Sequence, residues 1–151
     1  WGAERFDYLI NMAGTSHSGL FGEVTEEDFD AAYRVHVKGP FFLTQALLPL
    51  IADGGRIVNI SSGLTRFSYP GRIAYASMKG AVEVMTRYMA KELGPRRIAV
   101  NKVAPGAIQT DFSGGVVRDN PDVVRHIAES TAFGRPGLPD ATGPMIVSLL
   151  T

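Results

Sequence analysis

The chain has no cysteine. Disulfides and thiolate metal sites are therefore excluded, and a reducing cytosol is compatible with the composition, so a cytoplasmic protein is the expectation. An excess of either charge is also lacking: fifteen basic side chains balance fifteen acidic ones. That balance gives no electrostatic case for nucleic acid or an anionic membrane as partner. Small basic clusters such as Arg96-Arg97 read as solvated faces. Histidine is scarce, and His17, His36 and His126 form no ligand-spaced cluster, so no metal site is expected. No apolar run reaches the length of a membrane span.

What is present suits one domain with a real core: 151 residues, 45% of them hydrophobic and 20% charged. Phe6–Asn11 is a short apolar run stopped by Ala13-Gly14, and it predicts a buried parallel strand. Thr15 to Gly22 is a polar loop at that strand's C-terminal end, where open α/β sheets take their ligands. His17 lies in it, either lining a pocket or exposed. Thr25-Glu-Glu-Asp28 predicts a helix start, with a hydroxyl cap and first-turn carboxylates. The helical pattern runs to about residue 52, with a break or kink expected at Gly39-Pro40 because proline cannot donate to the ladder.

Ala52 to Gly55 reads as a turn into a second strand, Ile57–Ser61. A second long helix is predicted from Gly71–Ile73 to Leu93, stopped by Gly94-Pro95. It is apolar on more than one side, which points to core packing and also to a partner subunit near Met85, Tyr88 or Met89. Ile98–Ala104 predicts a third strand, interrupted by Lys102 at a strand end or an opening in the sheet's cover. The connection from Ala107 to Pro139 is long enough to be functional and holds a helical patch at Asp122–Ser130. A last helix opens at Pro139-Asp-Ala-Thr, with Pro144 delaying its start. Strand and helix thus alternate as βαβαβα, which specifies a parallel sheet with right-handed crossovers.

The chemistry concentrates between Ser62 and Lys79. Tyr75 and Lys79 are four residues apart, so on a helix they share one face. An ammonium that close is expected to lower the phenol pKa, giving a group able to pass a proton to or from a substrate oxygen. Ser62, just past a strand end, could hold the same oxygen. A lone Tyr-x-x-x-Lys also fits a packed or solvated helix face, and it is the setting that raises the functional reading.

That setting resembles the short-chain dehydrogenase/reductase family. The serine stands thirteen residues before the tyrosine, and three more stretches follow the family order: Asn11-Met-Ala-Gly14, Val37-Lys-Gly-Pro-Phe-Phe-Leu-Thr44, and Asn101-Lys-Val-Ala-Pro-Gly106 with Ile108-Gln-Thr110. The resemblance implies a Rossmann-type doubly wound parallel sheet in three layers. It implies an NAD- or NADP-dependent oxidoreductase interconverting a carbonyl and an alcohol. Tyr75 would be the acid/base, Lys79 its partner and a ribose ligand, and Ser62 the group that orients the substrate. Asn11, Ala13, Gly14, Ile60, Pro105, Gly106, Ile108 and Thr110 would join Tyr75 and Lys79 in holding the cofactor. A homodimer or homotetramer is implied as well.

Two positions depart from the pattern. Met12 replaces a second asparagine, and His36 stands where the family carries an asparagine that holds a relay water. His36 is either a working catalytic substitute, since imidazole accepts and donates, or a packed histidine. A cofactor-binding or regulatory protein with little turnover is the alternative these departures favour. No glycine-rich Gly-x-x-x-Gly-x-Gly turn is found, so residues 1–151 are expected to be the C-terminal two-thirds of one dinucleotide-binding domain. The strand Phe6–Asn11 would then sit mid-sheet in a longer protein.

Overall fold

The structure is a computed structural model that describes Gly2 and residues 4–151. Strands β1 (Phe6–Asn11), β2 (Ile51–Ile60) and β3 (Ala99–Val103) form one parallel sheet in the order β1-β2-β3. The strand at Phe6–Asn11 falls where the apolar run predicts it, and the other two lie within a few residues of their expected positions. Strand β2 begins earlier than expected, at Ile51, and the Ala52–Gly55 turn is an irregularity inside it. Phe6 pairs with Ile51, yet Tyr8 pairs with Arg56, so β2 carries the extra residues as a bulge. Gly54 supplies the left-handed backbone, with φ of +84°, that a side chain would resist.

The first helical stretch is α1 (Glu26–Tyr33), a π-helical turn (Arg34–Lys38) and α2 (Gly39–Leu47). The Thr25 hydroxyl caps α1 by accepting from the Asp28 amide at 3.1 Å. The break expected at Gly39-Pro40 takes the form of that π turn. Proline sits in the first turn of α2, where its missing N–H costs nothing, and the ladder mismatch is absorbed one turn earlier. Helix α3 (Ile73–Leu93) matches its predicted bounds. Helices α4 (Val116–Asp119) and α5 (Pro121–Ser130) lie in the long connection, and α6 (Gly143–Leu150) ends the chain with Pro144 in its first turn.

Alternation along the strands sorts the core into two faces. Ile51, Ile57, Ile98 and Val100 pack with Leu9, Met89 and Leu93 on the α3 side. Val58, Val103 and Ile146 pack with Leu149 and Leu150 on the α6 side. The result is a three-layer α/β sandwich with helices on both faces. The expected interface residues divide: Met85 is buried within the chain and Met89 joins the α3-side core, whereas Tyr88 is 67% exposed. No helix among the described residues is long and apolar enough to cross a membrane.

Candidate active site

The C-terminal ends of all three strands point to one edge, and the chemistry collects there. Ser61 follows β2, and its amide donates to the Val103 carbonyl at 2.7 Å; Gly63 donates to the Pro105 carbonyl at 2.9 Å. These two bonds lock the Ser62 segment against the Pro105 segment. Ser62 is buried and caps a short turn, accepting from the Leu64 amide at 3.2 Å.

Tyr75 and Lys79 occupy successive turns of α3 and are both buried. The Lys79 ammonium donates to the Ile60 carbonyl at 2.8 Å and lies 5.5 Å from the centre of the Tyr75 ring. Burial lowers the Lys79 pKa to about 8. The expectation that Lys79 depresses the phenol is not what this arrangement gives. Burial pushes the Tyr75 pKa up, while the Ser62 hydroxyl and the Arg72 guanidinium pull it down. The physical reason is that desolvation opposes phenolate most, and the ammonium is turned to a carbonyl.

His36 lies on the π turn and is 1% exposed. Its ring meets the Tyr75 ring edge-on, with centroids 5.2 Å apart. Its Nε2 is 2.8 Å from the Thr15 carbonyl and 3.4 Å from the Thr15 amide. The shorter contact makes Nε2 the donor, which leaves Nδ1 an acceptor. That Nδ1 is buried with no partner among the described residues. Burial, and then the Lys79 charge, lower its pKa to about 4, so the ring is neutral at physiological pH. Gly14 packs against this imidazole, and an added Cβ would stand 3.1 Å from its Cε1.

The structure therefore brings Ser62, Tyr75, Lys79 and His36 together with Gly14, Ile60 and Pro105. The Asn11 side chain is held within the fold. Its side-chain amide donates to Thr44 Oγ1 at 3.0 Å and to Asn59 Oδ1 at 2.8 Å, and Asn59 donates to Thr86 at 3.0 Å. That chain ties strands β1 and β2 to helices α2 and α3 behind the site. Ala13 is exposed, and Met12 is 55% exposed rather than packed. Gly106 has open space around its Cα, and Thr110 accepts from the Phe112 amide at 3.2 Å. His17 is 3.5 Å from Asp28. No group of His, Cys, Asp and Glu able to hold a metal is found among the described residues.

Three features escaped the sequence. Glu83, one turn past Lys79, accepts from Ser61 at 3.0 Å and from Thr65 at 2.9 Å, and pairs with Lys102. The Lys102 hydrogen bond above all holds its carboxyl down at a pKa of about 2. The strand interruption at Lys102 and the helical spacing of Lys79 and Glu83 were the available signals. Phe112 stands 6.0 Å from the Tyr75 ring, and beside it opens a cavity of about 500 Å³. Arg72 lines that cavity with Gly14, Thr15, Ser16, Asp111 and Phe112.

A parallel sheet covered on both faces, with a buried Tyr–Lys–Ser group at the strand ends, defines a Rossmann-type α/β protein. A family model described as enoyl-(acyl carrier protein) reductase matches residues 2–151. The 3-oxoacyl-[acyl-carrier-protein] reductase FabG of Thermotoga maritima is 38% identical over 148 residues, spanning 96% of this chain and 58% of the relative. The reductase LugOII, whose structure is described as catalysing keto-reduction at C1 during lugdunomycin biosynthesis, is 42% identical with a TM-score of 0.90 over 97% of this chain and 58% of that one. The angucycline C-6 ketoreductase LanV, solved with bound NADP, is 37% identical with a TM-score of 0.90 over 97% of this chain and 56% of that one. The chain belongs to the short-chain dehydrogenase/reductase family.

Proposed function

We propose that the protein is an NAD(P)-dependent oxidoreductase that interconverts a carbonyl and an alcohol, with Tyr75 as acid/base. The observation that carries this is the convergence of the buried Ser62, Tyr75 and Lys79 at the C-terminal edge of the sheet. The fit to a dinucleotide is supported by the chemistry of the strand ends: the Lys79 ammonium beside Ile60 suits ribose hydroxyls, and open backbone at Gly106 admits a flat ring. Ile60, Pro105, Ile108 and Thr110 would flank it. A bound nicotinamide would supply hydride transfer. LanV and carbonyl reductase [NADPH] 2 of Sus scrofa, 37% identical over 131 residues, carry NADP or NADPH in their descriptions, which supports the same class of cofactor here.

The protein's own work is positioning and proton transfer. Burial keeps the Tyr75 phenol protonated at neutral pH, ready to donate to a carbonyl oxygen during reduction. Ser62 holds that oxygen as a neutral partner. Lys79 orients the ribose and adds positive charge below the phenol. His36 serves the relay by offering its unpartnered Nδ1 to a water, in place of the family's asparagine.

Tyr75→Phe keeps the ring and its contacts with His36 and Phe112 but removes the acid. Ketone reduction by the full-length protein should fall by the ~10²–10⁴-fold usual for general acid catalysis, with dinucleotide affinity little changed. Near-normal turnover would overturn the assignment. A wild-type protein that binds the dinucleotide but reduces no ketone would favour the cofactor-binding alternative instead.

A further inference from the structure

We infer that Arg72 selects the substrate: the ketone reduced at Tyr75 carries an anionic oxygen, most simply a carboxylate, that the Arg72 guanidinium receives. This rests on the oxidoreductase reading and names the substrate class of the same site.

Arg72 is three residues before Tyr75 and lines the cavity that opens beside Phe112. Its Nη1 donates to Ser16 Oγ at 2.7 Å, and no carboxylate pairs with it among the described residues. The guanidinium therefore keeps donors in hand, in a planar fork suited to a carboxylate. Phe112, which lines the same cavity, stands 6.0 Å from the Tyr75 ring, so the cavity adjoins the phenol. The other ionic side chain in the lining, Asp111, is paired with Arg118 and so presents little repulsion to an incoming anion.

A purely structural role explains Arg72 poorly. It occupies the N-cap of α3 without a capping hydrogen bond, since arginine has no acceptor for the exposed amides. A cation there also meets the positive end of the helix dipole, which disfavours it. The Ser16 contact alone could be made by a shorter neutral side chain. What an arginine adds at that spot is an unpaired charge in a cavity whose Phe112 wall adjoins the Tyr75 ring. A small molecule with a carbonyl and an anionic oxygen a few bonds apart would satisfy both groups at once.

The test uses the full-length protein and three ketones, each as carboxylate and as methyl ester: phenylglyoxylate, benzoylacetate and 3-benzoylpropionate. Wild type should reduce at least one acid with higher kcat/KM than its ester. Arg72→Gln should lower kcat/KM for that acid by about 10–100-fold, the size of a lost charged hydrogen bond. The loss should lie mostly in KM, while the ester changes less than about threefold. Arg72→Lys should keep part of the preference. Ser16→Ala, which removes the contact but leaves the charge, should keep nearly all of it. Equal losses for acid and ester in Arg72→Gln, or a wild-type preference for every ester, would overturn the Arg72 assignment alone. A wild type that reduces none of the six compounds would overturn the oxidoreductase reading and this inference with it.

Discussion

His36 shows what one substitution at a buried position does to the whole chain's energetics. The ring is 1% exposed, and its folded pKa of about 4 lies below the ordinary 6.5. The unfolded chain therefore binds a proton that the folded one refuses between those values. Stability is full above pH 6.5 and falls as the pH drops toward 4. At pH 5 this single group should cost about 2 kcal/mol relative to pH 7.5. Urea unfolding of wild type and His36→Asn at the two pH values checks it. Asparagine does not titrate, so its loss on acidification should be smaller by that amount, and an equal loss in both proteins would sink the argument. The position was legible in the sequence as a departure from a pattern. Its tautomer and its orphaned nitrogen were not, because both depend on the Thr15 carbonyl, 21 residues away. Tyr75 was similar: its partner at four-residue spacing was readable, but the sign of its pKa shift was set by burial that spacing does not encode.

At the scale of elements, α3 is the member on which the site is built, and its bounds were plain because an apolar pattern ends in Gly94-Pro95. The π turn before α2 was harder. Proline at position 40 announced a disruption, but whether a ladder breaks, kinks or widens depends on packing against α3. The network beneath the site was invisible for another reason: Glu83 and Lys102 are 19 residues apart and meet only when β3 lies beside α3. This network has its own consequence. Glu83 gathers hydroxyls from both sides of Ser62, at Ser61 and Thr65, and Lys102 neutralises the carboxylate that does so. Lys102→Met should leave that charge poorly compensated, costing about 1–3 kcal/mol at pH 7. Acid unfolding should also move to higher pH, because Glu83 regains a more ordinary pKa and its stabilisation is lost earlier on acidification. Adding Glu83→Gln to Lys102→Met should then cost less than the sum of the single changes, since each removes the same pair. Additive costs in the double-mutant cycle would show that the two side chains act independently.

For the whole molecule, the parallel sheet follows from three apolar runs joined by helices, its order β1-β2-β3 is seen only in the structure, and the two core faces follow from alternation along each strand. The strand Phe6–Asn11 keeps a tension between sequence and structure. Its run is apolar on both faces, yet Tyr8 is 52% and Ile10 41% exposed, on the α6 side of the sheet where α6 covers Val58 and Val103. Among the described residues β1 pairs only with β2. The chain spans 58% of the length of the Thermotoga maritima relative, and a segment outside residues 1–151, were one present, could cover that face. If it does, Ile10 is a core residue there. Ile10→Ala should then cost ~2–4 kcal/mol in the full-length protein, close to the cost of Ile57→Ala, because both would leave a cavity in packed surroundings. Denaturant unfolding of the two variants measures this. A cost for Ile10→Ala below about 1 kcal/mol, the range for half-exposed positions, would mean that β1 stays an open edge in the whole protein. The strand-end site would then be anchored on one side by hydrogen bonds from Asn11 rather than by a covered sheet.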